Sequence, residues 1–258
     1  MSFLISTQTE LLKAKRTASS WLIIIGAAFI PTVYLLLFLL NPSETIKDMG
    51  SQPWAVYIMR SWEIFSFFVL PMYIILLCTL VTQIEFKNNT WKQVFASPQS
   101  FGNIFFSKFL TIHLMIFSFF LLFNILVFVV GIIAGLANPG FAFLENEIDW
   151  GIIWKLNAKA YLSILGISAI QYGLSLRFKN FVVPTGIGLA FLIGGLVAGA
   201  SRWSHVSKYP YAFTFLSMDS TQKTGRPFIE NHELNSIGYF VLFILLGFLE
   251  MKLRKDKG

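Results

Sequence analysis

The sequence predicts an all-α polytopic membrane protein, a single domain over residues 1–258 with six transmembrane helices. Three observations carry this. Of 258 residues, 55% are hydrophobic and only 13% charged, against about 25% charged in soluble domains, and the mean hydropathy is +0.67. Six apolar runs approach or exceed the length of about 20 residues that a helix needs to cross a ~30 Å hydrocarbon core. Basic residues, finally, gather in alternate connections. The net charge of +7 does not point to nucleic acid, because the charges lie in short flanks between apolar runs and form no stripe. Lipid is the expected surroundings.

The chain opens with Thr9–Ser20, where Glu10 and Lys13 stand one turn apart in a stretch that also holds Lys15 and Arg16. The first span, Trp21–Leu40, is 20 residues without a charge, longer than a signal-peptide core of roughly 7–15. A turn, Asn41-Pro42-Ser43-Glu44, follows it in place of a small-residue cleavage site, so the span is expected to stay uncleaved. The second span is Ile64–Ile84. The third, Phe109–Ala137, is long enough to tilt or to start in the interface. The fourth, Ile152–Leu176, admits Lys155 and Lys159 near its start, where lysine stems are expected to snorkel outward. The fifth is Phe181–Ala200. The sixth and shortest, Ile237–Leu253, carries Glu250, expected at headgroup level beside Lys252, Arg254 and Lys255. None of these runs has the alternation of a barrel strand.

Orientation follows from the Lys and Arg count. One side collects Lys13, Lys15, Arg16, Lys87, Lys92, Lys108, Arg177, Lys179, Lys252, Arg254, Lys255 and Lys257, twelve basic residues against the four acids Glu10, Glu85, Glu250 and Asp256. The other side holds eight basic and nine acidic residues. This places the first side, with both termini, in the cytoplasm of a cell whose inner membrane the chain spans. Cys78, the single cysteine, lies mid-span, so it can form neither an intramolecular disulfide nor a cysteine metal site.

The most informative stretch is the connection between the second and third spans, Glu85 to Ser100. Thr90 and Gln93 have capping-box spacing and start a helix at Trp91. Trp91, Val94 and Phe95 then share one face. Ser97-Pro98 stops the helix and can cap the next one, with Pro98 at its first position. The apolar face either anchors in the lipid interface or docks into a groove on a cytosolic partner.

The pattern of Glu85, Thr90-Trp91, Ser97-Pro98 and Ser107-Lys108 resembles the ABC-2 type permeases, nearest the lantibiotic-immunity and bacitracin-resistance exporters. The resemblance implies that Glu85, Thr90, Trp91, Val94, Phe95, Ser97 and Pro98 form a coupling helix contacting a cytosolic ABC ATPase subunit. It also implies that Thr9–Ser20 is an amphipathic elbow helix ahead of the first span. Two permease copies, identical or related, would pair with two ATPases and move a substrate such as an amphipathic peptide, antibiotic or lipid-like molecule outward. ATP and Mg²⁺ would sit on the partner, since this chain has no Gly-x-x-x-x-Gly-Lys-Ser/Thr sequence and no cofactor of its own is expected. The chain is therefore expected to be a transport permease and not an enzyme.

Other features have competing readings. Pro31, Pro71 and Pro184 interrupt three spans as hinges or static bends. Gly195 and Gly199 in the fifth span have helix-approach spacing; in the resembled family the first and fifth helices meet a second copy, so the pair is a candidate dimer face, with packing inside one subunit as the alternative. His113, Asn124 and Gln171 are expected to make interhelical hydrogen bonds. The aromatic connection Ser201–Asn235 is expected outside, packed on the membrane surface as re-entrant or interfacial pieces, and Glu63 either pairs with Arg60 or marks an outer mouth. A non-transporting scaffold that recruits a cytosolic partner is one rival function. An ion-coupled secondary transporter is another, and it wants charged residues deep in the membrane.

Overall fold

The computed structural model describes residues 3–223 and 225–255, with the side chains of Arg254 and Lys255 left out. Asp256 and Lys257, part of the charge count above, lie outside the described residues. In chain order the helices are α1 (Phe3–Ala14), α2 (Ala18–Leu40), α3 (Pro42–Met49), α4 (Pro53–Lys87), α5 (Trp91–Ala96), α6 (Phe101–Ala137), α7 (Trp150–Arg177), α8 (Val182–Ala200), α9 (Phe213–Gln222) and α10 (Asn231–Lys255). Single 3₁₀ turns at Pro139–Phe141, Val206–Lys208 and Pro210–Ala212 complete the path. No strand occurs among the described residues.

Five of these helices, α2, α4, α6, α8 and α10, are long and apolar enough to cross a membrane. By length and composition these criteria support five of the six spans expected from the sequence. The helix that falls short is α7. Its 28 residues would reach about 42 Å, but Lys155, Lys159, Gln171, Arg177 and three serines dilute its apolar character. The physical reason is its position: α4, α9 and α10 pack around it, so protein instead of lipid covers Ser163, Ser168, Gln171 and Ser175.

The core forms around α4, whose most apolar stretch is 61% buried, the highest share of the five. Phe65 stacks on Phe123 of α6 at 4.0 Å and Tyr73 stacks on Phe119 at 3.7 Å. Tyr73 also donates to the Met115 carbonyl at 3.1 Å, so the phenol is satisfied inside the bundle. Pro71 cannot donate to the preceding turn, and the helix widens to a π turn over Phe65–Val69 just before it. Pro31 sits inside a continuous α2. Pro184 lies in the first turn of α8, where no intrahelical donor is needed, so it interrupts nothing. Near the other end of α4, Trp54 lies against Gly131 of α6 so closely that a Cβ there would be 2.5 Å from the indole.

Helices α7 and α10 run parallel. Lys159 meets Glu233, the Gly166 amide donates to Ser236 Oγ, and Arg177 meets Glu250, at 3.3, 3.0 and 3.3 Å. We call the end of the bundle with α1 and Arg177 the basic end, and the end with Lys159 the far end. Lys159 does not snorkel: it is 1% exposed against a fully buried Glu233. Glu233 also accepts from Ser217 of α9 at 2.9 Å and lies 3.0 Å from His232. Through Ser217 this cluster ties α9, the buried middle of the Ser201–Asn235 connection, to α7 and α10. Arg60 pairs with Asp48 at 3.4 Å, while Glu63 lines a cleft with Phe215, Met218 and Asp219.

The neutral polar groups of the spans make the hydrogen bonds expected of them. His113 Nδ1 bonds Tyr161 at 2.9 Å, Asn124 donates to Asn157 at 2.9 Å, and Gln171 donates to the Pro184 carbonyl at 2.7 Å. Cys78 is buried, with its thiol 3.7 Å from the Ser168 carbonyl.

Candidate functional site

At the basic end, α4 closes with Lys87 and the chain turns through Asn88-Asn89. Asn89 has φ +53°, the left-handed conformation that asparagine tolerates better than most residues. The Thr90 amide then reaches back to the Glu85 carbonyl at 3.0 Å and the Asn89 amide to that of Phe86 at 3.3 Å. This pair of bonds is a Schellman cap, and it sets the direction of α5. The helix does begin at Trp91, but the side chain of Thr90 makes no capping bond, so the capping-box mechanism is replaced by this C-terminal cap of α4. Ser97 donates to the Val94 carbonyl at 2.6 Å and closes α5. The next helix is capped by Ser100, which accepts from the Asn103 amide at 3.2 Å; Pro98 lies ahead of it and is not its first residue.

The aromatic face of α5 lies against neighbouring rings of the same chain. Trp91 lies 5.3 Å from Phe86 and stacks on Phe95 at 5.4 Å, and Phe95 stacks on Phe101 at 6.2 Å. Phe101 in turn touches Phe248 of α10 at 5.6 Å. Trp91, Val94 and Phe95 are half-buried, whereas Lys92, Gln93 and Ala96 are exposed. The face that α5 offers outward is therefore small and polar.

Behind the aromatic ladder lies a buried ion quartet. Lys108, from the first turns of α6, is 1% exposed and donates to Glu85 at 2.8 Å, itself 1% exposed, and to Glu10 of α1. Lys13 closes the ring by pairing with Glu10 and, at 3.1 Å, with Glu85. Two acids and two bases balance, so the cluster is neutral. Burial raises the pKa of Glu10, yet Lys108 and Lys13 outweigh it and hold the carboxyl below its ordinary value. Burial lowers the pKa of Lys13, but Glu10 and Glu85 outweigh it and raise the ammonium above its ordinary value. The Lys108 ammonium also lies 5.9 Å from the Trp91 ring centroid, within cation–π reach. Ser6 of α1 donates to Gln99 at 2.9 Å, a second link from α1 to the α5–α6 connection.

The quartet joins three elements distant in sequence: α1, the end of α4 and the start of α6. Breaking one partner of such a buried pair costs about 3–5 kcal/mol, so the quartet fastens α1, α4 and α6 to one another at the basic end. Sequence reasoning singled out Glu85 and Lys108 in the resembled motif and Glu10 and Lys13 for their one-turn spacing, without joining the four. The available signal was two lone, opposite charges, Glu85 and Lys108, each bordering an apolar run.

Gly195 and Gly199 are covered from within the chain. A Cβ on Gly195 would lie 3.0 Å from the Tyr211 backbone, and one on Gly199 would lie 3.2 Å from the Phe215 ring. Both neighbours belong to the segment that follows α8.

Residues 6–195 match the model of the family described as ABC-2 family transporter protein. The match covers α1 to α8, including the whole quartet and α5. No curated protein and no solved structure matches the chain.

Proposed function

The chain belongs to the ABC-2 family of transporter proteins, and on that premise we propose that it is the permease subunit of an ATP-driven exporter. In this reading α5 is the coupling helix and α1 the elbow helix. The basic end faces the cytoplasm with both termini, and a separate ABC ATPase carries ATP and Mg²⁺. The observation that carries the proposal is the buried quartet of Glu10, Lys13, Glu85 and Lys108, which ties the short helix to two membrane spans.

The partner meets Lys92, Gln93 and Ala96, because Trp91 and Phe95 are turned inward. A push on α5 passes through Trp91 to Lys108 and through the Schellman cap to the end of α4. Glu85, Thr90, Trp91, Val94, Phe95, Ser97 and Pro98 thus share the coupling role as its frame, and the exposed polar face makes the contact. Helix α7 serves as a sixth crossing, supported by its parallel alignment with α10 from Lys159–Glu233 to Arg177–Glu250. A second permease copy, identical or related, completes the pore. The exposed stripe Trp21, Ile25, Phe29 and Val33 on α2, with Ile193 and Val197 on α8, suits that seam in a family whose first and fifth helices meet. Gly195 and Gly199 support it from behind.

The test is co-purification with a cognate ABC ATPase co-expressed with this chain. Lys92→Glu and Ala96→Trp are expected to abolish the complex while the permease keeps its thermal transition. Lys108→Met is expected to leave binding intact and to lower substrate-stimulated ATP hydrolysis. Retention of full coupling in all three variants would overturn the proposal.

A further inference from the structure

Between α7, α8 and α10 the lipid-facing surface folds into a lateral groove of about 460 Å³. Two of its walls carry matching stripes. Helix α7 contributes Ile170, Gly173, Leu174 and Arg177, and α10 contributes Phe243, Leu246, Gly247 and Glu250. Both sets fall at i, i+3, i+4 and i+7, one face of a helix. Because the helices are parallel, the stripes lie in register: a Cβ on Gly247 would be 3.8 Å from the Gly173 Cα, and Arg177 meets Glu250 at 3.3 Å. A Cβ on Gly173 would meet nothing within 4 Å, so the floor is open for want of a side chain.

The two ends differ. Toward the far end Tyr209, Tyr211 and Tyr239 close the groove, and their hydroxyls are already engaged with the Phe191 carbonyl, Gln171 and the Lys208 carbonyl at 2.9, 3.2 and 2.9 Å. That end offers ring faces only. At the basic end stand Arg177 and Glu250, 59% and 41% exposed, an ion pair too open to contribute much stability. From Tyr239 to Glu250 the groove runs about 16 Å at ~1.5 Å per residue, half of a ~30 Å hydrocarbon core. It therefore has the depth of one leaflet, an apolar interior, and one polar end carrying both signs of charge.

We propose that this groove binds one acyl chain of an ethanolamine phospholipid from the leaflet at the basic end, its phosphate on Arg177 and its ammonium on Glu250. A guanidinium matches phosphate in bidentate geometry. Glu250 accepts a hydrogen bond from a primary ammonium, which a choline headgroup cannot give, and repels a purely anionic headgroup. The proposal needs only that the chain lie in a bilayer, so it stands or falls separately from the coupling role of α5.

The purified protein, reconstituted in bilayer discs with equal amounts of ethanolamine, choline and glycerol phospholipids, is released into native mass spectrometry and its retained lipid identified. One retained phospholipid per chain is expected, enriched in ethanolamine. Gly173→Phe fills the floor and should remove it. Arg177→Gln should lower retention roughly ten- to hundredfold, the worth of one charge-assisted hydrogen bond. Glu250→Gln should shift the preference toward the glycerol headgroup. Should Gly173→Phe fail to fold, the headgroup preference of Glu250→Gln, an isosteric change at an exposed site, decides alone. Unchanged preference in that variant overturns the proposal. So does cross-linking of Phe243→Cys between two chains, since a second copy would then cover the groove.

Discussion

Lys108 and Glu85 face one another at 2.8 Å across the basic ends of α6 and α4, each 1% exposed to solvent. Neither charge is tolerable there without the other. Lys108→Met is expected to destabilise the folded protein by about 3–5 kcal/mol, because it leaves Glu10 and Glu85 buried with only Lys13 for a partner. The double variant Lys108→Met with Glu85→Gln should recover part of that loss. Thermal unfolding in detergent, run as a double-mutant cycle, measures the coupling.

The quartet also sets a pH window. The Glu10 carboxyl, lowered from an ordinary 4.5, adds stability that is present above 4.5 and is lost as pH falls through its folded value. The Lys13 ammonium, raised from an ordinary 10.5, adds stability that is present below 10.5 and is lost as pH rises through its folded value. Unfolding temperature should hence be flat with respect to these two groups between those limits and fall beyond both. Glu10→Gln should flatten the acid limb, which a pH series of thermal scans detects.

Gly131 and Gly102 should respond oppositely to alanine. The first has the Trp54 indole 2.5 Å from the position of a Cβ, and Trp54 is held by its bond to the Phe143 carbonyl at 2.7 Å. Gly131→Ala should cost about 1–3 kcal/mol through overpacking. Gly102, in the first turn of α6 with nothing within 4 Å, should gain about 0.4–1 kcal/mol. Thermal shifts of opposite sign verify the pair.

At the far end, Lys159→Met should loosen the segment that α9 anchors. It leaves Glu233 and His232 buried without the ammonium and weakens the hold on Ser217. Limited trypsin digestion at Lys223 and Arg226 should accelerate several-fold, with little change at the basic end. Adding Glu233→Gln should restore much of the protection.

Hydropathy read six spans, and five of them meet the length and composition of a crossing because lipid contact demands apolar side chains along a whole helix. The fourth, α7, does not stand out in the same way, since a helix shielded by protein is free to carry Lys159, Gln171 and serines. The start of α5 at Trp91 was legible, but its mechanism was not: the cap depends on Asn89 in a left-handed conformation, a tertiary detail that a Thr-x-x-Gln spacing imitates. Face and direction were the hardest to read. Periodicity groups Trp91, Val94 and Phe95, yet only the positions of Phe86, Phe101 and Lys108 decide that the group turns inward. Likewise the Gly195–Gly199 spacing announces a close approach without naming the partner, which here includes Tyr211 and Phe215 of the same chain.

The parallel course of α7 and α10 has a consequence for biosynthesis. Helix α7 leaves the ribosome some fifty residues before the strip that covers it, because α8 and the segment up to Asn231 come between. Domains assemble largely in the order of translation. During that interval Lys159, Ser163 and Gly166 have no Glu233 or Ser236 beside them, so a chain stalled before Asn231 leaves the Lys159 ammonium without its carboxylate. Docking of the last helix is therefore the step that closes the polar face of α7.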